Sequence, residues 1–398
     1  RIWVNGKEVE ASEDRKLMDV LRNDCHLKSI KDGCSQGACG SCTVVIDGNA
    51  IKACVQTMKR MEGKHILTVE GLTDYEKEVF VYSFGEAGAV QCGFCIPGMV
   101  MCAKALLDKT LTPSREEIAF AIRNNICRCT GYKKIVAAIE LAASIFRGEV
   151  QIPAKESGVS VGRKYHRIDA REKVLGTGQY IDDVEIEGMT YAGAIRSAYP
   201  RARVLKVNKD AALALDGVIA VLTAEDIPGN RQVGHIKHDW DVMIPTGEIT
   251  HFLGDVICLV VAETEEILEQ AKKLVEIDYE ELPAITNVAD ALADGAPLLH
   301  EDGNIVSHQH LVRGDVDSAI KEAAYVVTEH FETPWTEHAY MEPECCIAMP
   351  HEDGVFMYSS DQGVYSIREE CALMLGLPEE KVIVENKLVG GGFGGRED

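Results

Sequence analysis

Hydrophobic and polar residues alternate with a period of two in the first part of the chain. The stretch RIWVNGKEVEA predicts a hairpin that turns at Asn5-Gly6, and TVVIDGNAIKACV predicts a second hairpin that turns at Asp47-Gly48. Between the hairpins, LMDVLRND has the spacing of a short amphipathic helix. We therefore expect residues 1–74 to form a small β-rich unit.

From about residue 75 the apolar positions follow a helical period instead. Four helices are predicted, at residues 75–87, 97–109, 115–126 and 132–146. The third begins with a capping-box pattern that runs from Ser114 to Glu117. Residues 75–148 are therefore expected to form a compact all-α domain.

The pattern changes again after this domain. GEVQIPAKESGVSVG has no periodicity and is rich in small and polar residues, so we place a linker at residues 149–164. Beyond it, VICLVVAE and VEIDYEEL predict strands on either side of a helix, TEEILEQAKKL, and VYSIREECALML and KVIVENKLV predict a later helix and strand. This second half is expected to be mixed α/β.

Composition narrows the class of protein. A chain of 398 residues is long enough for roughly two to three domains. Its 64 acidic and 41 basic residues give a formal charge of -23, which disfavours nucleic acid and anionic membranes as partners. No apolar run reaches the length of a membrane span, and RIWVNGKEVEA has neither a starting Met nor the apolar region of a signal peptide. We therefore expect a soluble, cytoplasmic protein.

Cysteines are concentrated near the N-terminus, with ten of the fourteen in the first 129 residues. A first group is spaced C-x4-C-x2-C with the fourth cysteine after eleven further residues, and it consists of Cys34, Cys39, Cys42 and Cys54. This is the plant-type ferredoxin spacing for a [2Fe-2S] cluster. The glycines of GCSQGACGSC let the backbone wrap around an anionic cluster and direct N–H groups at it. The alternatives are a zinc site with four thiolate ligands and a set of unligated thiols.

A second group of cysteines precedes two of the predicted helices. Cys92 and Cys95 come directly before Pro97, and Cys127 and Cys129 come before the helix that starts near Tyr132. The N-termini of two helices favour thiolates and an anionic cluster. Taken alone, this group fits zinc as well as iron, and the upstream ferredoxin spacing favours a second [2Fe-2S] centre. The other six are predicted to be ordinary thiols, namely Cys25, Cys102, Cys258, Cys345, Cys346 and Cys371.

Six motifs follow one another along the chain: GCSQGACGSCTVVIDG, QCGFCIPGM, NICRCTGY, GTGQYIDD, EHAYMEPE and GGGFGGRE. In this order they resemble the molybdenum hydroxylases, the family of xanthine dehydrogenase and aldehyde oxidoreductase. The resemblance implies a multidomain fold. Its expected parts are a β-grasp ferredoxin-like [2Fe-2S] domain at 1–74, a four-helix-bundle [2Fe-2S] domain at 75–148, an α/β hammerhead-like part at 165–285 and the beginning of an α+β molybdopterin-binding domain at 286–398.

The resemblance also implies a reaction and its cofactors. A molybdenum-molybdopterin group, with the cytosine dinucleotide as a candidate form, hydroxylates an electron-poor carbon with oxygen from water. The electrons then leave one at a time through the two [2Fe-2S] clusters. Cys129 matches the cluster ligand nearest the pterin, and Gln91 matches a glutamine that contacts it. Gln362, in SSDQGVYS, matches a glutamine near the metal, and a helix-capping role without a ligand is the alternative. The residues expected to approach the metal from the last motif are Gly392, Phe393 and Gly394.

The last motif, GGGFGGRED, also contains the letters of a dinucleotide-binding fingerprint. That fold needs a following helix and a further acidic residue, so the molybdenum interpretation explains the motif better. Glu397 matches a glutamate that hydrogen-bonds the heterocycle in purine-hydroxylating relatives, whereas aldehyde-oxidising relatives carry a different residue. A solvated acid in a flexible end is the alternative. His338, Glu342 and Glu344 resemble family residues, and we assign them no chemistry.

Two departures from the family pattern affect the expected partners. No flavin domain lies between the helical domain and the hammerhead part, so no FAD is expected in this chain and a flavoprotein subunit, flavodoxin or ferredoxin is expected to accept the electrons. The family's molybdenum domain continues past GGGFGG and contains the general base there. We therefore expect the remainder of that domain as a partner, and a homodimer is a further candidate.

Three functions remain in consideration at this point. The leading one is a hydroxylase of xanthine dehydrogenase type acting on a purine or related N-heterocycle. The second is an aldehyde oxidoreductase of the same family, favoured by the flavin-free layout and opposed by Glu397. The third is a non-catalytic electron-transfer subunit with two clusters, which the glycines of the last motif and Gln362 argue against.

Overall fold

The computed structural model describes residues 1–154, 161–162, 164–300 and 302–397. The middle of the predicted linker, 155–160 and 163, therefore lies outside the described residues. By its internal contacts the chain divides into two compact units. Unit 1 is Arg1–Glu185, His338–Glu369 and Pro378–Asp398, and unit 2 is Ile186–Glu337 and Glu370–Leu377. The domain boundaries given above stay predictions.

Unit 1 begins with a five-stranded sheet of order β2-β1-β5-β3-β4. Its strands are β1 (Ile2–Val4), β2 (Lys7–Val9), β3 (Thr43–Ile46), β4 (Asn49–Lys52) and β5 (His65–Leu67). Strands β1 and β5 run parallel and the other neighbours run antiparallel. Both predicted hairpins are confirmed, and in each turn the two central residues have positive φ, as a two-residue turn of type I′ requires.

The predicted first helix is present as α1 (Leu17–Asp19) continued by a π-helical turn, Val20–Asp24. It covers one face of the sheet, where Leu17, Leu21 and Val44 are fully buried. The apolar positions of the two hairpins point into this core, which is why the alternation in the sequence predicted them.

Four longer helices follow, and their existence was predicted correctly. They are α2 (Asp74–Glu86), α3 (Ile96–Leu107), α4 (Arg115–Ile122) and α5 (Lys133–Phe146). Ser114 begins α4 with the expected capping box. Helix α4 ends four residues before the predicted end at 126, because Asn125 and Ile126 turn away to hydrogen-bond Gly40 and Cys39 of the first cysteine loop. A short helix, α6 (Ala170–Leu175), packs against α2 and α3.

Unit 2 is built from short antiparallel sheets. A three-stranded sheet of order β6-β11-β8 and a β7-β12 pair lie beside a small β9-β10 pair. The elements, in chain order, are β6 (Tyr191–Arg196), β7 (Ala202–Asn208), α7 (Asp210–Leu213), β8 (Val218–Thr223), β9 (Gln232–Val233), β10 (Trp240–Asp241), β11 (Val256–Ala262), α8 (Glu265–Lys272), β12 (Glu276–Glu281), α9 (Val288–Ala291) and α10 (Val316–Glu322). The apolar face of α8, with Leu268 and Ala271, packs on β11 and gives unit 2 a core of its own.

The last part of the chain forms the elements that precede the glycine-rich motif. They are β13 (Cys346–His351), β14 (Gly354–Ser359), α11 (Val364–Leu375) and β15 (Val382–Asn386). Strand β14 pairs with β13 antiparallel and with β15 parallel, so the ends of β14 and β15 lie at the same edge. The segment after β15 is GGGFGGRE, and Gln362 follows β14. This register brings the two segments together. No helix among the described residues is long and apolar enough to cross a bilayer.

Candidate functional site: two cysteine clusters beside a glycine-lined cavity

The first cysteine loop runs between α1 and β3 and closes on the short helical turn after β4. Its thiols associate in two pairs, Cys34 with Cys39 and Cys42 with Cys54. The backbone N–H of Cys39 donates to Cys34 Sγ at 3.3 Å, and the N–H of Ser41 donates to Cys39 Sγ at 3.5 Å. The loop therefore directs backbone N–H groups at sulfur, as an anionic cluster requires.

The loop also changes the acidity of its thiols. Burial raises the pKa of Cys34, but backbone N–H groups from Cys39, Gln36 and Ala38 bring the pKa below its ordinary value. Burial raises the pKa of Cys42 to about 12. The Cys42 thiol therefore needs a cation close to its sulfur in order to ionise, and a cluster iron would supply that cation.

At two glycine positions of this loop, a residue with a Cβ would meet neighbouring atoms too closely. A Cβ added at Gly40, where φ is +78°, would lie 2.6 Å from the carbonyl oxygen of Asn124. A Cβ added at Gly33 would lie 2.8 Å from the carbonyl oxygen of Met341 and 3.2 Å from Cys39 Sγ. Side chains at these positions would occupy the space that lets the backbone approach the sulfurs.

The second group of cysteines gathers at the start of two helices, as predicted. Cys95 is the N-cap of α3, and Cys127 and Cys129 precede α5. These thiols form one hydrogen-bonded series, in which Cys129 contacts Cys92 and Cys127, and Cys127 also contacts Cys95. Hydrogen bonds from Cys129 and Cys95 lower the pKa of Cys127 to about 2 although the thiol is buried.

Both donor sets suit a binuclear cluster. Each offers four neighbouring thiols, and a [2Fe-2S] cluster binds four thiolates, two on each iron. The plant-type ferredoxin spacing of the first group is the observation that favours iron-sulfur over the alternative, a mononuclear zinc site.

Two hydrogen bonds from adjacent residues join the two cysteine loops. The N–H of Ile126, directly before Cys127, donates to the carbonyl oxygen of Cys39 at 2.7 Å. Beside it, Asn125 Nδ2 donates to the carbonyl oxygen of Gly40 at 2.9 Å, and the Asn125 side chain is buried. The two sets of ligands are thus held in fixed proximity.

A cavity of about 410 Å³ opens beside the second group of cysteines. On one side, Gln91 Nε2 donates to the carbonyl oxygen of Cys129 at 3.0 Å. On the other side lies the glycine-rich motif. The lining residues are Gln91, Cys92, Cys129, Arg167, Lys173, Val389, Gly391, Gly392 and Phe393. The structure therefore brings together four of the residues that the sequence assigned to the cofactor.

The other two assigned residues, Gln362 and Gly394, lie beside the glycine wall, which is the stretch Gly391–Phe393 along the cavity. Gln362 Oε1 accepts the N–H of Gly394 at 2.9 Å. A Cβ added at Gly392 would lie 2.2 Å from that same oxygen, so only glycine fits there. Phe393 has a φ of +59°, a left-handed conformation that is rare for an aromatic residue and typical of strained functional loops.

Glu397, the residue assigned to substrate, is exposed. Its carbonyl oxygen lies 3.9 Å from the position that a Cβ would take on Gly363, the neighbour of Gln362. Its role as a substrate ligand stays a prediction. Its neighbour Arg396 is 4% exposed, and the alternative, in which Glu397 is a solvated acid, also stays open.

A buried ion pair under the glycine wall was not predicted from the sequence. Arg396 Nη1 and Glu342 Oε2 are 2.7 Å apart, and their side chains are 2% and 0% exposed. The same carboxylate oxygen accepts the N–H of Gly390 at 2.7 Å and the hydroxyl of Ser360 at 2.6 Å. Glu342 therefore fixes the start of the glycine wall, a role that a separation of 54 residues hides in the sequence.

The lining of the cavity fits a pterin group. The amide of Gln91 offers hydrogen bonds, and Gly391 and Gly392 present peptide groups without side chains. Arg167 and Lys173 add positive charge, which is offset in part by Asp169, at 2.8 Å and 2.7 Å from them. These groups suit a polar, anionic cofactor. Arg167 and Lys173 were not among the predicted site residues, because nothing local in RIDAREK distinguishes them from a solvated surface.

Comparison with known proteins agrees with this arrangement. Four family models match successive parts of the chain. They are a 2Fe-2S iron-sulfur cluster binding domain at 2–67, a [2Fe-2S] binding domain at 68–140, the a/b hammerhead domain of aldehyde oxidase and xanthine dehydrogenase at 175–283, and a molybdopterin cofactor-binding domain at 299–398.

Individual relatives give the same result. An aldehyde oxidoreductase from Megalodesulfovibrio gigas is 36% identical over 423 residues, covering 99% of this chain and 46% of the relative. The nicotinate dehydrogenase small FeS subunit from Eubacterium barkeri is 44% identical over 137 residues, covering 34% of this chain and 87% of the subunit. The solved structure of the aldehyde oxidoreductase from Desulfovibrio gigas is similar with a TM-score of 0.90 and 31% identity, covering 99% of this chain and 46% of that one.

The fold and the site define an iron-sulfur protein in which the second group of cysteines borders a glycine-lined cavity. The chain belongs to the molybdenum hydroxylase family, the molybdenum-containing oxidoreductases that include xanthine dehydrogenase and aldehyde oxidoreductase. It spans about half the length of the aldehyde oxidoreductases that it matches.

Proposed function

We propose that this chain supplies both [2Fe-2S] clusters and one wall of the molybdenum-pterin site of a hydroxylase that acts on a purine or a related N-heterocycle. The observation that carries the proposal is a single cavity lined both by Cys92 and Cys129 and by the glycine wall of Gly391–Phe393. A pure electron carrier has no use for a cofactor cavity at its cluster. When bound, the molybdenum-pterin group would transfer oxygen from water to the substrate and take up two electrons.

Hydrogen bonds within the chain connect the cavity with the two groups of cysteines and so define a route for those electrons. Gln91 ties the cavity to the backbone of Cys129, a ligand of the second cluster. From there, the hydrogen bond between Ile126 and Cys39 leads to the ligands of the first cluster. The substrate's electrons would leave one at a time along this route to an external acceptor, a flavoprotein subunit, flavodoxin or ferredoxin. The same proposal includes four further points. The chain holds no flavin, and the pterin has the cytosine dinucleotide form. The protein forms a homodimer and lies in the cytoplasm.

The choice of substrate class depends on Glu397. The carboxylate of Glu397 can accept a hydrogen bond from a ring N–H, and such a polar group favours a heterocycle over an aldehyde. A relative of the first half is a subunit of nicotinate dehydrogenase, which is named after an N-heterocyclic acid. Aldehyde oxidation is the second candidate, because an aldehyde oxidoreductase matches 99% of this chain.

The first experiment is purification of the native, full-length protein from its own host without oxygen, with iron, molybdenum and released pterin measured per chain. We expect about four irons, one molybdenum and one pterin. About four irons without molybdenum and pterin would replace the proposal by the two-cluster electron carrier. Zinc in place of iron would contradict the cluster assignment itself.

A second experiment separates the two substrate classes. In the full-length enzyme, Glu397→Gln should lower kcat/KM for the purine or N-heterocycle by roughly tenfold or more, since it removes a charged hydrogen-bond acceptor. Turnover of a small aldehyde should change by less than about twofold. Equal losses for both substrates would favour the aldehyde alternative. Glu385→Gln, an exposed glutamate on β15, is the matched control.

A further inference from the structure

The segment Lys173–Asp183 contacts the second cluster loop, and apart from Lys173, which lines the cavity, the proposed function gives its residues no role. Lys173 Nζ donates to the carbonyl oxygen of Gln91 at 3.0 Å, and the hydroxyl of Tyr180 donates to the carbonyl oxygen of Cys92 at 2.7 Å. We call this segment the brace. Two successive carbonyl groups at the start of the second cluster loop thus accept hydrogen bonds from its side chains.

Both donors are buried. Lys173 is 5% exposed and Tyr180 is 2% exposed. Lys173 Nζ is also 2.7 Å from Asp169. The Lys173 stem lies so close to Gly93 that a Cβ there would meet it at 2.5 Å. Removing an ammonium and a phenol hydroxyl from water costs free energy. Apolar side chains would fill the same space without that cost, so packing alone does not explain Lys173 and Tyr180.

The other end of the brace is anchored in the ferredoxin-like part of unit 1. Asp183 forms ion pairs with Lys31 and Arg22, whose side chains are 1% and 7% exposed. Lys31 Nζ also lies 4.7 Å from the centre of the Tyr180 ring. The ring of Phe94 meets the other side of Tyr180 edge-on, with centroids 5.2 Å apart. These contacts hold the Tyr180 ring in one position.

The brace also contacts the segment that leads into the glycine wall. The N–H of Leu388 donates to the carbonyl oxygen of Gln179 at 3.0 Å. A Cβ at Gly178 would meet Leu388 Cδ1 at 2.5 Å, so the two backbones approach closely. The brace therefore connects the first cluster domain, the second cluster loop and the glycine wall within unit 1.

We propose that Tyr180 and Lys173 are positioning residues that set the reduction potential of the second cluster. Their hydrogen bonds partly neutralise the negative ends of the Gln91 and Cys92 carbonyl groups beside the cysteine ligands. Reduction adds negative charge to the cluster, so it becomes less favourable when these donors are removed. This inference rests on the iron-sulfur part of the proposed function.

The test uses the holoenzyme with Tyr180→Phe, which keeps the ring and removes only the hydroxyl, and Lys173→Met, which keeps an apolar stem. Iron is counted, and both clusters are followed by electron paramagnetic resonance in an anaerobic redox titration. At a fixed potential, we expect the ratio of reduced to oxidised second cluster to fall roughly tenfold in each variant. For a one-electron couple this is a downward shift of about 59 mV. The first cluster should keep its potential.

Two controls match the variants in chemistry but lie on the surface. Tyr75→Phe removes a tyrosine hydroxyl that donates to the carbonyl oxygen of Ile145 at 3.5 Å, and Arg171→Gln removes an exposed cation of α6 that pairs with Glu78. Neither should move either potential.

The outcomes decide between a positioning role and a general structural one. Loss of the second cluster alone from Tyr180→Phe or Lys173→Met would overturn the inference, because the brace would then hold the loop in place rather than set the potential of the cluster. Unchanged potentials, equal shifts of both clusters, or loss of both clusters together would overturn it. A parent protein without iron-sulfur clusters would instead contradict the proposed function, and the iron count distinguishes the two failures.

Discussion

Gln362 shows how one side chain holds a strained loop. Its Oε1 accepts the N–H of Gly394 at 2.9 Å, next to Phe393 with its left-handed backbone. Gln362→Ala removes that acceptor and about 1 kcal/mol of support, so we expect kcat of the full-length enzyme to fall by roughly fivefold or more. Gln362→Glu keeps an acceptor oxygen and should retain more activity than Gln362→Ala. Steady-state kinetics provide the measurement, and equal activity of wild type and Gln362→Ala would show that the contact is dispensable.

The buried pair of Glu342 and Arg396 makes a prediction about stability. Removing one partner leaves the other charge buried and unpaired, at a cost of about 3–5 kcal/mol. Glu342→Gln should therefore lower the unfolding midpoint of unit 1 markedly. Glu342→Gln combined with Arg396→Met should recover part of the loss, because no unpaired charge remains. Thermal unfolding followed by circular dichroism tests this, and a double variant less stable than Glu342→Gln alone would contradict it.

At the residue scale, some site residues could be predicted from the sequence and others could not. The two cysteine groups could be predicted as candidate ligands because their spacing is local and each group lies on one or two loops. Gln362 was predicted only through a family motif. The pairing of Glu342 with Arg396 was not, because it forms between segments 54 residues apart and neither segment contains a pattern that requires a buried charge.

At the scale of single elements, unit 2 contains a pH-sensitive contact. His251 Nδ1 lies 3.6 Å from Asp255, and a hydrogen bond to that carboxylate raises the pKa of His251 above 6.5. Burial opposes the rise, while the charges of Asp241 and Glu248 add to it, and the ring stacks on His300. A raised pKa means that the protonated form is stabilised by folding.

The sign of the pH dependence follows from this. The stabilisation is complete below about pH 6.5 and is lost as the pH rises through the raised pKa of His251. We expect the unfolding midpoint of unit 2 to fall between about pH 6.5 and pH 8, and His251→Gln to flatten that dependence. Thermal unfolding across this pH range measures it. His235→Gln, an exposed histidine in the same unit, is the control, and identical pH profiles for wild type and His251→Gln would refute the assignment.

Most elements could be predicted because their patterns are periodic over several residues. The two hairpins, the four helices of the second domain and the strand-helix-strand run around α8 follow from alternation or helical spacing. The end of α4 could not be predicted, since Asn125 and Ile126 leave the helix to bond the first cysteine loop. The brace has no sequence period at all, and its buried contacts arise only when separate domains of unit 1 meet.

The whole molecule consists of two units with separate hydrophobic cores. In unit 1 the cores surround Phe80 and Leu17, and in unit 2 they surround Val260 and Ile257. All eight proposed cluster ligands belong to unit 1. The return of His338–Glu369 to unit 1 could not be foreseen, because nothing in the sequence marks where the chain comes back.

Removal of iron should therefore lower the stability of unit 1 and leave that of unit 2 unchanged. Metal bound only in the folded state adds its binding free energy to folding, so extraction of iron under reducing conditions should destabilise unit 1. If about 4 kcal/mol is lost, the unfolding midpoint of that unit falls by about 10 °C. The midpoint of unit 2 should stay within about 2 °C, whereas His251→Gln should shift only unit 2 near pH 6. Differential scanning calorimetry of the holo and iron-free protein measures both transitions. A single transition that moves as a whole on iron loss would show that the two cores unfold together, and an unchanged unit 1 would show that its cysteines hold no stabilising metal.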